Sequence, residues 1–237
     1  MLLNLHVKNL AIIDEIEVDF AEGLDVLTGE TGAGKSIIIG SINMAIGGKV
    51  PKDIIRKGAD FALAELLFSV DTDEQKRYLE EHGITAEDNE VLISRKFTKG
   101  RGINRINGES VPVSVLKQAA AVLIDVHGQN EQQSLLYKRE HMEIVDRYAR
   151  EKMALIAKQH QVICISHLAQ IAAMADAHYL IEKTSGGAHT STQIRMLSGS
   201  EEVQELARIL GGAQITEAVI NSAEEMKELA LNLKKSL

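Results

Sequence analysis

The stretch that decides the fold of this chain is Gly29-Glu30-Thr31-Gly32-Ala33-Gly34-Lys35-Ser36. Its spacing, G-x-x-x-x-G-K-S, is typical of a phosphate-binding loop. Glycines let the backbone adopt positive φ and approach an anion closely, so that successive N–H groups can surround phosphate oxygens. Lys35 can then place its ammonium group on the outer phosphates, and the Ser36 hydroxyl can bind Mg²⁺. The whole stretch is therefore predicted to bind a phosphate-bearing cofactor, with Ser36 as a metal ligand.

The residues on either side of this stretch agree with that interpretation. The apolar run 24–28 predicts a short buried strand that enters the loop, and residues 36–46 predict a helix that leaves it. The positive end of the helix dipole would then face the phosphates. The alternative is a glycine-rich turn that merely precedes a lysine, and the order of strand, loop and helix disfavours it.

The composition is that of an ordinary globular protein, with 237 residues of which 45% are hydrophobic and 25% charged. This length suits one large or two small domains. No apolar run reaches the roughly 18 residues of a membrane span, and the first residues do not form a secretory signal. The only cysteine, Cys164, lies in an apolar run and is interpreted as a buried, inert thiol. We therefore expect a cytoplasmic protein with no membrane contact.

The net charge of −8 and the aromatic content of 3% argue against a generally basic surface for nucleic acid and against a base-stacking platform. A local basic cluster nevertheless surrounds one predicted hairpin and consists of Arg95, Lys96, Lys99, Arg101 and Arg105. Two further basic residues, Arg56 and Lys57, precede Gly58. Such a cluster is either a surface for DNA phosphates or an ordinary solvated strand face. For Arg56, a position beside the bound cofactor is a further alternative.

Hydrophobic periodicity predicts an antiparallel portion early in the chain and a parallel α/β portion around the loop. In the first strand, Leu3, Leu5 and Val7 are expected on one face. Asn107-Gly108 is a strong signal for a hairpin turn. The predicted strands are 61–70, 91–97, 103–106, 122–127, 161–166, 179–182 and 193–196, and the predicted helices are 73–81, 113–121, 140–156, 168–175, 201–210 and 216–233.

Two polar residues follow predicted buried strands and are suited to a nucleotide site. The amide oxygen of Gln129, after strand 122–127, can reach Mg²⁺ or an attacking water. His167, after strand 161–166, can reach a γ-phosphate. Taken singly, Gln129 is more often an ordinary loop amide and His167 more often a structural histidine.

In their chain order, these segments resemble the heads of SMC-like ABC-type ATPases, and within that group the RecN family of bacterial DNA repair proteins. The segments are Thr28–Ser36, Asp125-Val126-His127-Gly128-Gln129 and 160–168. Residues 5–14 and 205–212 are also similar to that family, so the resemblance covers nearly the full length. It implies an α/β fold, namely a P-loop NTPase of the ABC/SMC-head type, with a mixed sheet and an antiparallel β subdomain.

The resemblance also implies roles for the candidate residues. Lys35 and the loop amides would bind ATP, Ser36 and Gln129 would hold Mg²⁺, and His167 would be the catalytic switch histidine that senses the γ-phosphate. Residues 1–149 would form the N-terminal half of the head, with the P-loop and the Q-loop, and residues 150–237 its C-terminal half. Heads of this family form homodimers around ATP and move DNA during double-strand break repair.

The chain departs from this family in its middle. No coiled coil separates the two halves, and no apolar strand ends in Asp-Glu, so the Walker B residues and the signature loop are missing. The run 123–125 ends in Asp, but no Glu follows it, and Leu197-Ser198-Gly199-Ser200-Glu201 comes after His167. We interpret the latter as a turn and a helix N-cap at Ser198 or Ser200. The chain is therefore expected to be a shortened head that binds ATP as a monomer and hydrolyses it poorly or not at all.

Two other functions stay open from the sequence. A small P-loop phosphotransferase would need an acceptor pocket and an arginine-rich lid, which the sequence does not indicate. A non-catalytic interaction module with a vestigial P-loop would bind no nucleotide.

Overall fold

The computed structural model describes residues 1–29, 34–51, 53–99, 101–126, 152–186, 189–212 and 214–237. The chain divides into two compact units, and each combines segments that are distant in sequence. The first unit contains Met1–Phe20, Thr31–Glu131 and Glu182–Ile194, and the second contains Ala21–Glu30, Gln132–Ile181 and Arg195–Leu237.

The first unit is built on a six-stranded antiparallel sheet with the strand order β2-β1-β4-β5-β6-β7. These strands are β1 (Leu2–Leu10), β2 (Ile13–Asp19), β4 (Phe61–Ser69), β5 (Glu90–Thr98), β6 (Arg101–Ile106) and β7 (Glu109–Ser110). Every second residue of β4 is buried, as expected for a strand with one face on the core. The predicted strands 61–70, 91–97 and 103–106 are confirmed. The turn at Asn107-Gly108 is confirmed as well, with φ values of 49° and 81°.

The first strand differs from its prediction at one position. Leu5 and Val7 are buried as expected, but Leu3 is only half-buried and Leu2 is buried instead. The pairing of β1 with β4 shifts register between Leu2 and Asn4. A register irregularity of this kind breaks the strict alternation of faces, so period 2 could not predict it.

The described residues of the first unit form three helices: α1 (Lys35–Ala45), α2 (Asp73–Glu81) and α3 (Val113–Leu123). Helix α1 buries Ile38, Ile42 and Met44 and packs on β4 and β5. Helix α2 has the predicted bounds, because Thr72 and Gln75 form a capping box at its start.

The predicted buried strand 122–127 is wrong. Val122 and Leu123 are the last residues of α3, and residues 124–126 are not in a strand. Helix α3 buries Leu116, Ala119, Ala120 and Leu123, which is the i, i+3, i+4, i+7 spacing of a helix face. The apolar run therefore continues the helical period rather than starting a strand, an ambiguity that short apolar runs carry.

The second unit contains β3 (Leu24–Gly29) and β8 (Val162–Ile165), and β9 (Ala177–Gly186) and β10 (His189–Met196) lie partly in it. The strand order is β10-β9-β3-β8, and β3 pairs in parallel with both β8 and β9. The predicted combination of an antiparallel portion with a parallel α/β portion is thus confirmed.

In the part of the second unit that the structure describes, the helices are α4 (152–157), α5 (Ala169–Ala172), α6 (Gly199–Gly211) and α7 (Glu217–Ser236). They share one apolar core with the start of β3, in which Leu24, Val26 and Leu206 are fully buried. Of the two predicted caps, Ser198 and Ser200, it is Ser198 that caps α6, and it does so in a capping box with Glu201. Among the described residues, no helix has the length and apolar character that a membrane crossing needs.

Candidate nucleotide-binding site

The strand that enters the phosphate-binding motif ends beside two neighbours in the second unit. Leu27 of β3 aligns with Ile165 of β8, and Gly29 aligns with Ile181 of β9. Strands β3 and β8 are parallel and end at Gly29 and Ile165, within two residues of each other in register, so their carboxyl ends lie at one edge of the sheet, while β9 continues to Gly186. In open α/β sheets, ligands bind at this edge.

Gly29 occupies a position that no other residue can take. Its φ is 146°, and an added Cβ would lie 2.2 Å from the carbonyl oxygen of Ile181. Since real Cβ contacts are never this short, a side chain at position 29 would force β3 and β9 apart. The first glycine of the motif is therefore required by the close packing of two backbones.

The other end of the motif opens helix α1 in the first unit. Gly34 is the N-cap with φ 108°, and its carbonyl oxygen accepts hydrogen bonds from the amides of Ile37 and Ile38 at 2.9 and 3.2 Å. Lys35 and Ser36 form the first helical turn, and Ser36 is exposed. An added Cβ at Gly34 would lie 3.0 Å from Thr192 Oγ1, so this position is also crowded.

His167 follows β8 and is exposed. Ser166 fixes the backbone on both sides of it, since its amide donates to Leu27 O at 3.1 Å and its hydroxyl accepts from the Leu168 amide at 3.1 Å. The structure thus brings His167 and Gly29 to neighbouring strand ends within the second unit. The remaining predicted site residues, Glu30, Thr31, Gly32, Ala33 and Gln129, lie outside the described residues.

Arg95 does not belong to a phosphate-contacting surface, although its position in the basic cluster suggested one. Its guanidinium is buried and donates to Met44 O, to Gly48 O at 3.1 Å and to Asn104 Oδ1 at 2.8 Å. Burial lowers the pKa of this guanidinium. Arg95 therefore holds the carboxyl end of α1 against β5 and β6, because its three hydrogen bonds join these elements.

The other basic residues of the cluster are closer to solvent. The Lys96 ammonium lies 4.2 Å from the centroid of the Phe61 ring, and Lys99 lies 3.7 Å from Asp60 with both side chains well exposed. Arg101 and Arg105 are exposed on β6. Arg56 donates to Ile12 O at 2.9 Å, which anchors it to the turn between β1 and β2.

A buried polar cluster beneath the end of β3 was not predicted from the sequence. Thr28 Oγ1 lies 2.9 Å from His178 Nε2, and the Thr28 side chain also bonds to Glu205 of α6. Arg208 donates to both carboxylate oxygens of Glu205 at 2.6 and 2.8 Å. One signal for this cluster was present in the sequence. Glu205 shares a face of its predicted helix with the apolar Ile209, and a carboxylate on a face that packs on the core needs buried partners.

The pKa values of this cluster follow from its burial and its hydrogen bonds. Burial lowers the pKa of His178 to about 4, although Glu205 and Glu202 act in the opposite direction. Burial alone would raise the pKa of Glu205, but hydrogen bonds from Arg208 and Thr28 keep it below its ordinary value. At neutral pH the cluster therefore contains a neutral imidazole and a carboxylate.

A second buried acid lies near the start of β3. Asp25 is fully buried and accepts hydrogen bonds from the Ala21 amide and from Gln161 Nε2, both at 3.3 Å. Burial raises its pKa to about 7, and the charge of Asp176 acts in the same direction. On the neighbouring strand, burial raises the pKa of the partly buried Cys164 thiol, in agreement with its predicted inertness.

Comparison with known proteins identifies relatives of this chain. A family model described as an AAA domain matches residues 4–236. The DNA repair protein RecN of Halalkalibacterium halodurans is 37% identical over 171 residues, which are 71% of this chain and 30% of that protein. RecN of Bacillus subtilis is 37% identical over 163 residues, which are 68% of this chain and 28% of that protein. The chain thus spans about three-tenths of the length of these curated relatives.

The fold has a clear counterpart among solved structures. The SMC head domain from Thermotoga maritima superimposes with a TM-score of 0.61 at 17% identity, covering 83% of this chain and 99% of that domain. At this level of identity the match shows a shared fold. The chain belongs to the AAA domain family, has the fold of an SMC head and is a relative of the DNA repair protein RecN.

Proposed function

We propose that this chain is the ATP-binding head of an SMC-like protein that acts in bacterial DNA double-strand break repair and recombination, in the cytoplasm. One observation carries the proposal: the phosphate-binding motif begins where parallel strand β3 ends beside β8, the strand that leads to His167. The RecN relatives, described as DNA repair proteins, support the same process.

Several described residues support the proposal that the motif binds a triphosphate. Glycines stand at positions 29 and 34, where an added Cβ would meet Ile181 O and Thr192. Lys35 supplies an ammonium group and Ser36 an exposed hydroxyl at the first turn of α1, the positive end of its dipole. In this proposal Lys35 and the loop amides bind the phosphates, Ser36 and Gln129 hold Mg²⁺, and His167 contacts the γ-phosphate. The Mg²⁺ ion, when bound, offsets phosphate charge.

Nucleotide binding is tested by calorimetric titration with ATP and Mg²⁺. The wild-type chain should bind, and Lys35→Ala should weaken binding at least about tenfold, because a charge-assisted contact is commonly worth more than 1.4 kcal/mol. Lys49→Ala, at an exposed lysine of the same unit, serves as the control and should bind normally. Absence of heat with wild type would favour a vestigial P-loop. Transfer of the γ-phosphate to nucleosides or metabolites would instead identify a phosphotransferase.

We further propose that this chain hydrolyses ATP poorly and stays monomeric with ATP. The general base and one metal ligand of related heads are missing from the sequence, and such groups commonly contribute ~10²–10⁴-fold each. Phosphate release should therefore be close to background, and sedimentation should detect no ATP-dependent homodimer. An ATPase rate equal to that of an intact head, abolished by Lys35→Ala, would contradict the first part. Heads of the complete protein are proposed to dimerise around the nucleotide.

DNA contact is proposed for the exposed basic residues of the β5–β6 hairpin, namely Lys99, Arg101 and Arg105. Phosphate contacts release counterions, so binding to duplex DNA should weaken steeply as salt rises. Replacing both arginines with glutamate should abolish binding in an anisotropy titration. Binding that is independent of salt would exclude this surface.

A further inference from the structure

The buried cluster of Thr28, His178 and Glu205 has a defined pattern of donors and acceptors. Glu205 is a carboxylate and can only accept, so the Thr28 hydroxyl donates its proton to Glu205. The same oxygen must then accept from His178 Nε2, 2.9 Å away. His178 is therefore the neutral tautomer that carries its proton on Nε2. Its Nδ1 is buried and has no hydrogen-bond partner among the described residues.

This arrangement joins three elements at the point where the phosphate-binding motif begins. Thr28 is on β3, His178 on β9 and Glu205 on α6. The His178 carbonyl oxygen also accepts from the Leu197 amide at 2.7 Å, just before the N-cap of α6. Arg208 neutralises Glu205 from within α6, and Glu202 of α6 pairs with Lys227 of α7. The position of the Thr28 hydroxyl is thus set by a helix and a strand together.

The next residue along the chain is held by the same neighbouring strand. The backbone of Gly29 lies against Ile181 O of β9, so closely that no Cβ fits between them. Strand β9 therefore constrains Thr28 through the His178 ring and Gly29 through the Ile181 carbonyl. Together these two contacts hold the last two residues of β3 against β9.

We propose that His178 and Glu205 are positioning residues for nucleotide binding, which act by fixing the Thr28 hydroxyl and so the end of β3 at Gly29. The proposal rests on the nucleotide-binding function proposed above. Preorganised groups bind a ligand without the entropy cost of ordering them, so loosening the end of β3 weakens nucleotide binding. Neither residue contacts the nucleotide in this proposal.

The test compares two substitutions of the same residue. Thr28→Val keeps the shape of the side chain but removes the hydroxyl, and Thr28→Ser keeps the hydroxyl. In calorimetric titrations with ATP and Mg²⁺, Thr28→Val should raise the dissociation constant about tenfold, equivalent to about 1.4 kcal/mol. Thr28→Ser should bind within about twofold of wild type, because both hydrogen bonds are kept.

A third variant separates positioning from general destabilisation. Leu206→Ala opens a cavity in the same helix beside Glu205 but leaves the Thr28 hydroxyl intact. Thermal unfolding should show that Leu206→Ala is at least as destabilised as Thr28→Val, while its nucleotide affinity at a temperature where it is folded stays within about twofold of wild type. Equal weakening by both variants would show that the cluster has a purely structural role and would overturn the proposal.

The remaining outcomes distinguish this proposal from the proposed function. If wild type binds no nucleotide, the proposed function fails. If wild type binds and a folded Thr28→Val variant binds equally well, only the positioning role fails. The network itself is tested without nucleotide by ¹⁵N NMR of the His178 ring, which should show a protonated Nε2 and an unprotonated Nδ1 at neutral pH. An imidazolium ring, or a proton on Nδ1, would overturn the hydrogen-bond assignment on which the proposal depends.

Discussion

The two units of this molecule place their buried polar residues differently. In the antiparallel unit, strand β4 alternates between buried and half-exposed residues, and the buried polar residues of the described part are Ser41, Arg95 and Thr192. In the parallel unit, every residue of β3 from Leu24 to Thr28 is buried. The described interior of this unit contains Asp25 and Thr28 on β3, with His178 and Glu205 against Thr28.

This difference follows from how each sheet is covered. A strand with one face on the core can leave its polar residues in solvent, whereas a strand buried on both faces has no solvent side for them. Polar residues on β3 therefore need buried partners, and these come from other strands and helices. The parallel unit should consequently respond to pH and to small substitutions more strongly than the antiparallel unit.

The largest expected effect concerns Gly29 of the parallel unit. Gly29→Ala places a Cβ 2.2 Å from Ile181 O, so β3 and β9 must separate. We expect a loss of about 4 kcal/mol or more in the free energy of unfolding, or no cooperative transition at all, measured by urea denaturation. Gly58→Ala is the control, because φ is +93° there but nothing lies within 4 Å of an added Cβ. Gly58→Ala should lower the free energy of unfolding by only about 1–2 kcal/mol. Equal losses in the two variants would show that β9 can move aside for the added methyl group.

The second effect is a pH dependence caused by Asp25. Its pKa is raised to about 7 from 3.8, so the folded state binds this proton more tightly than the unfolded state. The resulting contribution to stability is fully present below pH 4 and is lost as the pH rises to about 7, with an upper limit of about 4 kcal/mol. Asp25→Asn resembles the protonated acid and should be more stable than wild type at pH 8.

Urea denaturation at pH 5 and pH 8 measures this difference. The stability of wild type should fall more than that of Asp25→Asn between the two values, and other titrating groups cancel in the comparison. A variant that is less stable than wild type at pH 8 would show that the Asp25 carboxylate is well accommodated.

The smallest of the three effects tests Arg95, a buried charged residue on strand β5 of the antiparallel sheet. Arg95→Met removes three hydrogen bonds and leaves Met44 O and Gly48 O without this donor. We expect a loss of about 2–3 kcal/mol in the free energy of unfolding, because a buried charged donor is replaced and its acceptors stay buried. Arg105→Met, on the exposed side of β6, should change stability by less than about 0.5 kcal/mol in the same urea assay. Similar losses would mean that Arg95 is replaceable by apolar packing.

Much of the fold was predictable from local patterns. The bounds of α2, the caps of α6 and α7 and the Asn107-Gly108 turn follow from short-range chemistry that the sequence displays directly. Strand 122–127 was not predictable in the same way, because a short apolar run fits a buried strand and the end of an apolar helix equally well. The register irregularity at Leu2 and Asn4 depends on the partner strand and leaves no local signal.

The candidate site shows the same division. The motif itself specified where glycines, the lysine and the serine stand, since phosphate binding needs those residue types at that spacing. Arg95, by contrast, belongs to a basic cluster in the sequence but is buried in the structure, because the α1 carbonyls lie within its reach. The residue type predicts that a side chain is charged, but its neighbours in the fold determine whether the charged group is exposed or buried.

By itself, the sequence determined that a phosphate-binding strand–loop–helix exists here and that it resembles an SMC-type head, because motif spacing and capping are local properties of the chain. Only the tertiary structure decided that β3 lies between the strand leading to His167 and the strand carrying His178, and that Thr28 meets Glu205. These contacts join residues about 130–180 positions apart in the sequence, where parallel pairing and helix packing, rather than local preference, determine the neighbours.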